Sequence, residues 1–136
     1  MTATATASKA HATVHDFATK QASDKMRVIK EIPVGKCVRQ GDVYIKRINK
    51  PKDLKSMAEF KDTQLAPGNT MGSRHVVTGD VEMFKKADAD QFTGPVIVSK
   101  TGFTVTHPEH AHFQLPAGTY QVTYQLDWAT QQRAKD

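Results

Sequence analysis

Tyr120-Gln121-Val122-Thr123-Tyr124-Gln125-Leu126-Asp127 is the stretch that decides the fold. Tyr120, Val122, Tyr124 and Leu126 alternate with Gln121, Thr123, Gln125 and Asp127. Successive side chains of a strand point to opposite faces, so this period of two sends four apolar groups to a core and four polar groups to water. No long amphipathic helix competes for that core. Working back along the chain, shorter apolar segments recur between turn residues at intervals of about 8–12 residues, the spacing of a sandwich or barrel. Phe103 to Thr106 and Pro95 to Ser99 flank Lys100-Thr101-Gly102, and Arg74 to Val77 and Val81 to Phe84 flank Thr78-Gly79-Asp80. Both read as hairpins with short Gly-containing loops. Ala66-Pro67-Gly68-Asn69 is a strong turn. Val43 to Ile48 follows Gly41-Asp42 as a strand and ends at Lys50-Pro51-Lys52-Asp53, Leu54 to Phe60 reads as brief helix or irregular chain, and the tail from Trp128 reads as a short helix packed back on the sheet. The expected fold class is therefore all-β: one small barrel or sandwich with an extended N-terminal arm.

The chain has 136 residues, of which 38% are hydrophobic and 24% charged, enough for one domain with a modest core. Its longest apolar runs, such as Pro95-Val96-Ile97-Val98, fall far short of the about 20 residues that a helical membrane span needs. A single cysteine, Cys37, excludes an internal disulfide framework and a multi-cysteine zinc cage. Residues 1–26 differ from the rest, being dominated by Ala, Thr, Ser and Lys, with Val14 and Phe17 the only large apolar side chains between Met1 and Met26. Such a segment buries too little surface to offset its ordering entropy, so it is expected to be a flexible or extended arm that presents Val14 and Phe17 to a partner. Residues 27–136 form the expected domain, its compact part running from about residue 36 to 128. The N-terminus has neither a charged start nor an apolar block, so no secretory signal is expected.

The net charge is +5, and residues 27–62 carry ten Lys and Arg against five Asp and Glu. This basic stretch suits an acidic protein face, with Lys46, Arg47 and Lys50 as the expected contacts. It lacks the interleaved aromatics of RNA-binding sheets and any basic helix following a turn, so nucleic acid is not an expected partner.

Chemistry-bearing residues concentrate in Thr106-His107-Pro108-Glu109-His110-Ala111-His112. His110 and His112 are two apart and would share one face of a strand. With His107 or Glu109 from the preceding turn and His75 from another strand, they form a candidate ligand set for zinc or another divalent transition metal. Against this, Pro108 breaks the strand, and the same side chains suit a polar turn hydrogen-bonded to backbone. No catalytic residue is assigned: Cys37 has no His near it in sequence, Ser73 lies outside a Gly-x-Ser-x-Gly elbow, and no phosphate or dinucleotide loop is present.

Three pieces together carry a resemblance: Arg39-Gln40-Gly41-Asp42-Val43; Ala66-Pro67-Gly68 with Gly72-Ser73-Arg74-His75; and Thr106-His107-Pro108-Glu109-His110 with Leu115-Pro116-Ala117-Gly118-Thr119-Tyr120-Gln121-Val122. Over roughly residues 39 to 128 the chain resembles a family of small proteins encoded by bacteria and their phages, with no established activity. That family carries a Gly-His-Ala-His turn in the middle, and here Ser73 stands in place of its first His, which thins any metal site by one ligand. His110-Ala111-His112 with Leu115-Pro116-Ala117-Gly118 also resembles fragments of cupin motifs, in which histidines inside a barrel hold a metal. The Glu a few residues further on is missing, replaced by Phe113-Gln114-Leu115-Pro116.

Two functions follow as expectations. The first is a structural protein of a phage virion, a capsid decoration or stabilising component without a cofactor. It would dock through its arm on capsid protein or other copies of itself and be found in the virion or host cytoplasm. The alternative is a cupin-like metal-binding enzyme or small-ligand binder built on His75, His107, Glu109, His110 and His112.

Overall fold

A computed structural model describes residues 25–68, 70–127 and 132–133 of the chain. Its strands are β1 (Met26–Val28), β2 (Cys37–Gln40), β3 (Val43–Ile48), β4 (Ala58–Glu59), β5 (Val76–Gly79), β6 (Glu82–Lys85), β7 (Thr93–Ser99), β8 (Phe103–Thr106), β9 (His112–Leu115), β10 (Gly118–Tyr124), β11 (Leu126–Asp127) and β12 (Gln132–Arg133). One sheet has the order β1-β9-β8-β5 and the other β2-β3-β10-β7-β6-β4. Their inner faces supply a common core: Val77, Phe103, Val105 and Leu115 from the first, and Val43, Ile45, Met83, Ile97, Tyr120, Val122 and Tyr124 from the second. The rings of Phe103 and Tyr120 meet edge to face across the two layers, 5.3 Å between centroids. Both sheets keep open edges, so the all-β domain is sandwich-like and not a closed barrel. Among the described residues no helix is long and apolar enough to cross a membrane.

The alternation that decided the fold holds where it can be followed. Tyr120, Val122 and Tyr124 are buried on β10, which sits centrally between β3 and β7. The side chain of Leu126 lies outside the described residues, as do Trp128 and the whole of residues 1–24 with Val14 and Phe17.

Three expectations need correction. Neither expected hairpin forms: β5 pairs with β8, while β6 pairs with β7 and β4. Thr78-Gly79-Asp80 and Lys100-Thr101-Gly102 therefore carry the chain from one sheet to the other. Turn residues specify a reversal but not which strand receives it. The two crossings nest, since a Cβ on Gly79 (φ +121°) would lie 3.2 Å from Phe103 Cα and 3.3 Å from Gly102 O. Next, in the tail predicted as a helix the described residues Gln132 and Arg133 form a strand instead, Arg133 against Leu126 and Gln132 against Asp127. The domain also begins before residue 36. Met26–Val28 runs parallel to His112–Gln114, Ile32 is buried and Ile29 packs on the core, so Met26 belongs to the sheet and not to the arm. A three-residue strand joined to a partner far along the chain leaves no local pattern to read. Leu54 to Phe60 does hold a brief helical turn, the 3-10 turn at Leu54–Ser56 anchored by buried Leu54, and continues into β4.

β7 contains the one irregularity that shapes the central ladder. Gln121 is level with Val96 and Thr123 with Thr93, so Val122 alone faces Gly94 and Pro95. This bulge accommodates a proline, which lacks the N–H that an unbroken central ladder needs. Gln121 Nε2 reaches Gly94 O at 2.9 Å and Val122 O at 2.9 Å, taking up carbonyls the bulge displaces.

Candidate functional site

The polar interior starts from the β2–β3 turn. Gln40 and Val43 are paired across a two-residue loop, Gly41-Asp42, in which Gly41 takes φ +57°. That left-handed conformation is easy for glycine and fits the tight hairpin. Gln40 and Asp42 are both buried, and they face His75, which lies between the 3-10 turn Met71–Ser73 and β5 and is fully enclosed. Gln40 donates through Nε2 to Val105 O at 3.1 Å and Ala111 O at 2.8 Å. With its nitrogen so used, the Gln40 amide oxygen accepts, and His75 Nδ1 donates to it at 2.8 Å. The other ring nitrogen, Nε2, faces Asp42 Oδ1 at 3.3 Å.

His107 closes the site from the end of β8. Its Nδ1 accepts the Glu109 backbone N–H at 3.0 Å, which leaves Nε2 protonated and donating to Gly72 O at 3.1 Å. Its ring lies between those of His75 (4.3 Å) and His110 (4.5 Å), tilted by 44° and 40°. His112 is tied to the same place through Nε2, which donates to His107 O at 3.2 Å.

The structure thus brings together His75, His107 and His110 of the predicted ligand set, but by their ring faces. His110 falls in the bend before β9 and not on the strand with His112, so the shared strand face expected for that pair does not form. Glu109 enters the cluster through its backbone, and its side chain is exposed. A metal needs ring nitrogens converging at about 2.0–2.1 Å. Among the described residues no three His, Cys, Asp or Glu side chains are arranged to hold an ion. Ser73 is buried, and its hydroxyl meets Thr70 Oγ1 at 3.0 Å. A cleft of 390 Å³ beside β4 and β6 is lined by Phe60, Val81, Met83 and their neighbours and includes no histidine.

Of the cations expected to meet a partner, Lys46 and Lys50 are exposed on and just after β3. Arg47 turns inward: Nη1 donates to Ile32 O at 3.0 Å, and the guanidinium lies 5.9 Å from the Tyr120 ring centroid. The Tyr120 hydroxyl donates to Pro116 O at 2.7 Å. Burial pushes this phenol above its ordinary value of 10.0, against the opposing pull of Arg47.

Gln40 and Asp42, the two residues that organise the cluster, were not among the predicted site residues. The signal for them was present: two polar side chains flanking a turn glycine, directly before Val43, whose strand register places it inside. All of the network's anchors, Gln40, Asp42, His75 and His107, fall within residues 39–125. No curated protein and no solved structure matches the chain. A family model does match it over those residues, and the chain belongs to that family, described as a domain of unknown function (DUF8820).

Proposed function

We propose that this chain is a structural component of a phage particle, a capsid decoration or stabilising protein that docks through its N-terminal segment. One observation carries the reading. The first 24 residues lead into β1, a three-residue strand at the edge of its sheet in which every residue is exposed, Met26 and Val28 included. A segment poor in core-forming residues, leading into an exposed sheet edge, suits a domain whose arm is ordered by neighbours. The histidine network supports the same reading, because its hydrogen bonds run to backbone and to buried partners and brace the inside of the domain.

Co-sedimentation with capsid shells of the encoding phage tests the proposal. The full chain pellets with shells at a saturating ratio fixed by the capsid subunits. A chain beginning at Lys25 stays in the supernatant while keeping its β-type circular dichroism. A full chain that ignores the shells, or a shortened chain that binds them equally, overturns the reading.

A further inference from the structure

The geometry points to β1 as the acceptor edge for an extended partner segment of the pattern apolar–acidic–apolar, which adds to the sheet as a further strand. This deepens the docking reading above by naming the chemistry of the partner at one edge. Three observations lead to it.

The first is the backbone. Lys25 O accepts from His112 N and Ile29 N donates to Gln114 O, so these groups face β9. Strand backbones alternate, so Arg27 also bonds inward to β9, while the N–H and C=O of Met26 and of Val28 point away from it. Among the described residues no strand lies beyond β1.

The second is side-chain direction. Arg27 is level with Phe113, which is buried, so Arg27 shares the inward side of the sheet with Ile29, itself packed on the core. Met26 and Val28 are level with His112 and Gln114 and share the outer side, where they are 46% and 57% exposed. These two and Val34 make up three of the four exposed large apolar side chains among the described residues. An added strand would place its own residues beside these in the same alternation: apolar next to Met26, charged next to Arg27, apolar next to Val28.

The third is charge. Lys25, Arg27 and Lys30 are exposed in and next to β1, with Glu31 the one acidic side chain among residues 25–31. A second copy of β1 would set Arg27 and its neighbours against their own like charges, which disfavours self-pairing. The partner segment is therefore acidic and comes from another protein.

Titration of the isotope-labelled full chain with a blocked Ser-Val-Glu-Val-Ser peptide, followed by NMR, is the test. The Met26 and Val28 amides should shift and exchange more slowly with solvent, while the Arg27 amide, already bonded to β9, keeps its exchange rate. A Ser-Val-Lys-Val-Ser peptide should bind about fivefold more weakly, the factor expected when a favourable cross-strand pair gives way to a repulsive one. Arg27→Glu should invert that preference. Val28→Pro removes only an outward N–H, a substitution an edge strand tolerates, and should abolish binding of both peptides. No shift at Met26 and Val28, an unchanged preference in Arg27→Glu, or full binding by Val28→Pro overturns the inference. So does concentration-dependent dimerisation abolished by Val28→Pro, which would make a second copy the occupant. Because the titration needs no capsid, a chain that pellets with shells yet ignores the peptide defeats this inference and leaves the docking reading standing.

Discussion

At the scale of single residues, Gln40 is the side chain on which the buried network turns. It donates twice and accepts once, and only an amide does all three. Gln40→Glu keeps the shape but removes both donated bonds, leaving the carbonyls of Val105 and Ala111 against a carboxylate. The expected loss is about 2–5 kcal/mol, from two hydrogen bonds lost and a carboxylate held against carbonyl oxygens, measured as a drop in the urea midpoint at unchanged slope. Tyr120 gives a pH-dependent counterpart. Its phenol titrates above 10.0 in the folded protein because burial disfavours the anion. The folded state therefore holds its proton more tightly than the unfolded chain does. The resulting stabilisation is complete below about pH 10 and is lost as the pH climbs past that value. Tyr120→Phe should be less stable at pH 7 by about 1 kcal/mol, having lost the bond to Pro116 O, and should lack this component of the alkaline decline. Parallel thermal melts at pH 7 and above pH 10 check both. Sequence reading reached His75 and His107 because histidines close together attract attention. It missed Gln40 and Asp42 because a Gln and an Asp beside a turn glycine look like ordinary solvated turn residues. Only the inward register of Val43 marks them as interior.

At the scale of elements, the bulge in β7 is the most constrained point. A Cβ on Gly94 would lie 2.5 Å from Tyr124 Oη and 3.0 Å from Val122 Cγ1. The Tyr124 hydroxyl cannot swing away without giving up its bond to Leu65 O. Gly94→Ala should therefore cost about 1–3 kcal/mol as an overpacked core site, whereas Gly35→Ala, with nothing within 4 Å and only its φ of +95° against it, should cost less. Denaturant titration of the two variants side by side measures the difference. Strand existence was legible in the chain: the alternation on β10 and the runs at Val43 to Ile48 and Phe103 to Thr106 all became strands. Strand pairing was not. Residues 78–80 and 100–102 have the composition of hairpin loops, yet the chain between them lies in the other sheet, because β7 finds β10 and β8 returns to find β5. Those choices are made by the core between the sheets, through contacts such as Phe103 on Tyr120, and no window of local sequence contains them.

At the scale of the whole molecule, the sandwich is self-sufficient over the described residues, its core assembled from side chains between Ile32 and Tyr124. A chain beginning at Lys25 should therefore melt at the same temperature as the full chain, because it keeps every described residue of that core. A chain beginning at Lys30, which lacks β1, should melt lower, having lost the ladder to β9 and the packing of Ile29. Differential scanning calorimetry of the three lengths tests this, and a fall in the first truncation would mean that the N-terminal segment folds back on its own domain. The pairing of β1 with β9 also sets an order of events at the ribosome. Met26 is level with His112, 86 positions later in the chain. At about 5–20 residues per second that interval takes about 4–17 s, during which Met26 and Val28 have been synthesised and their place in the sheet has not. The basic, apolar flank is thus available to chaperones or to a waiting partner until His112 to Gln114 have been made, and only then can the sheet that seats it close.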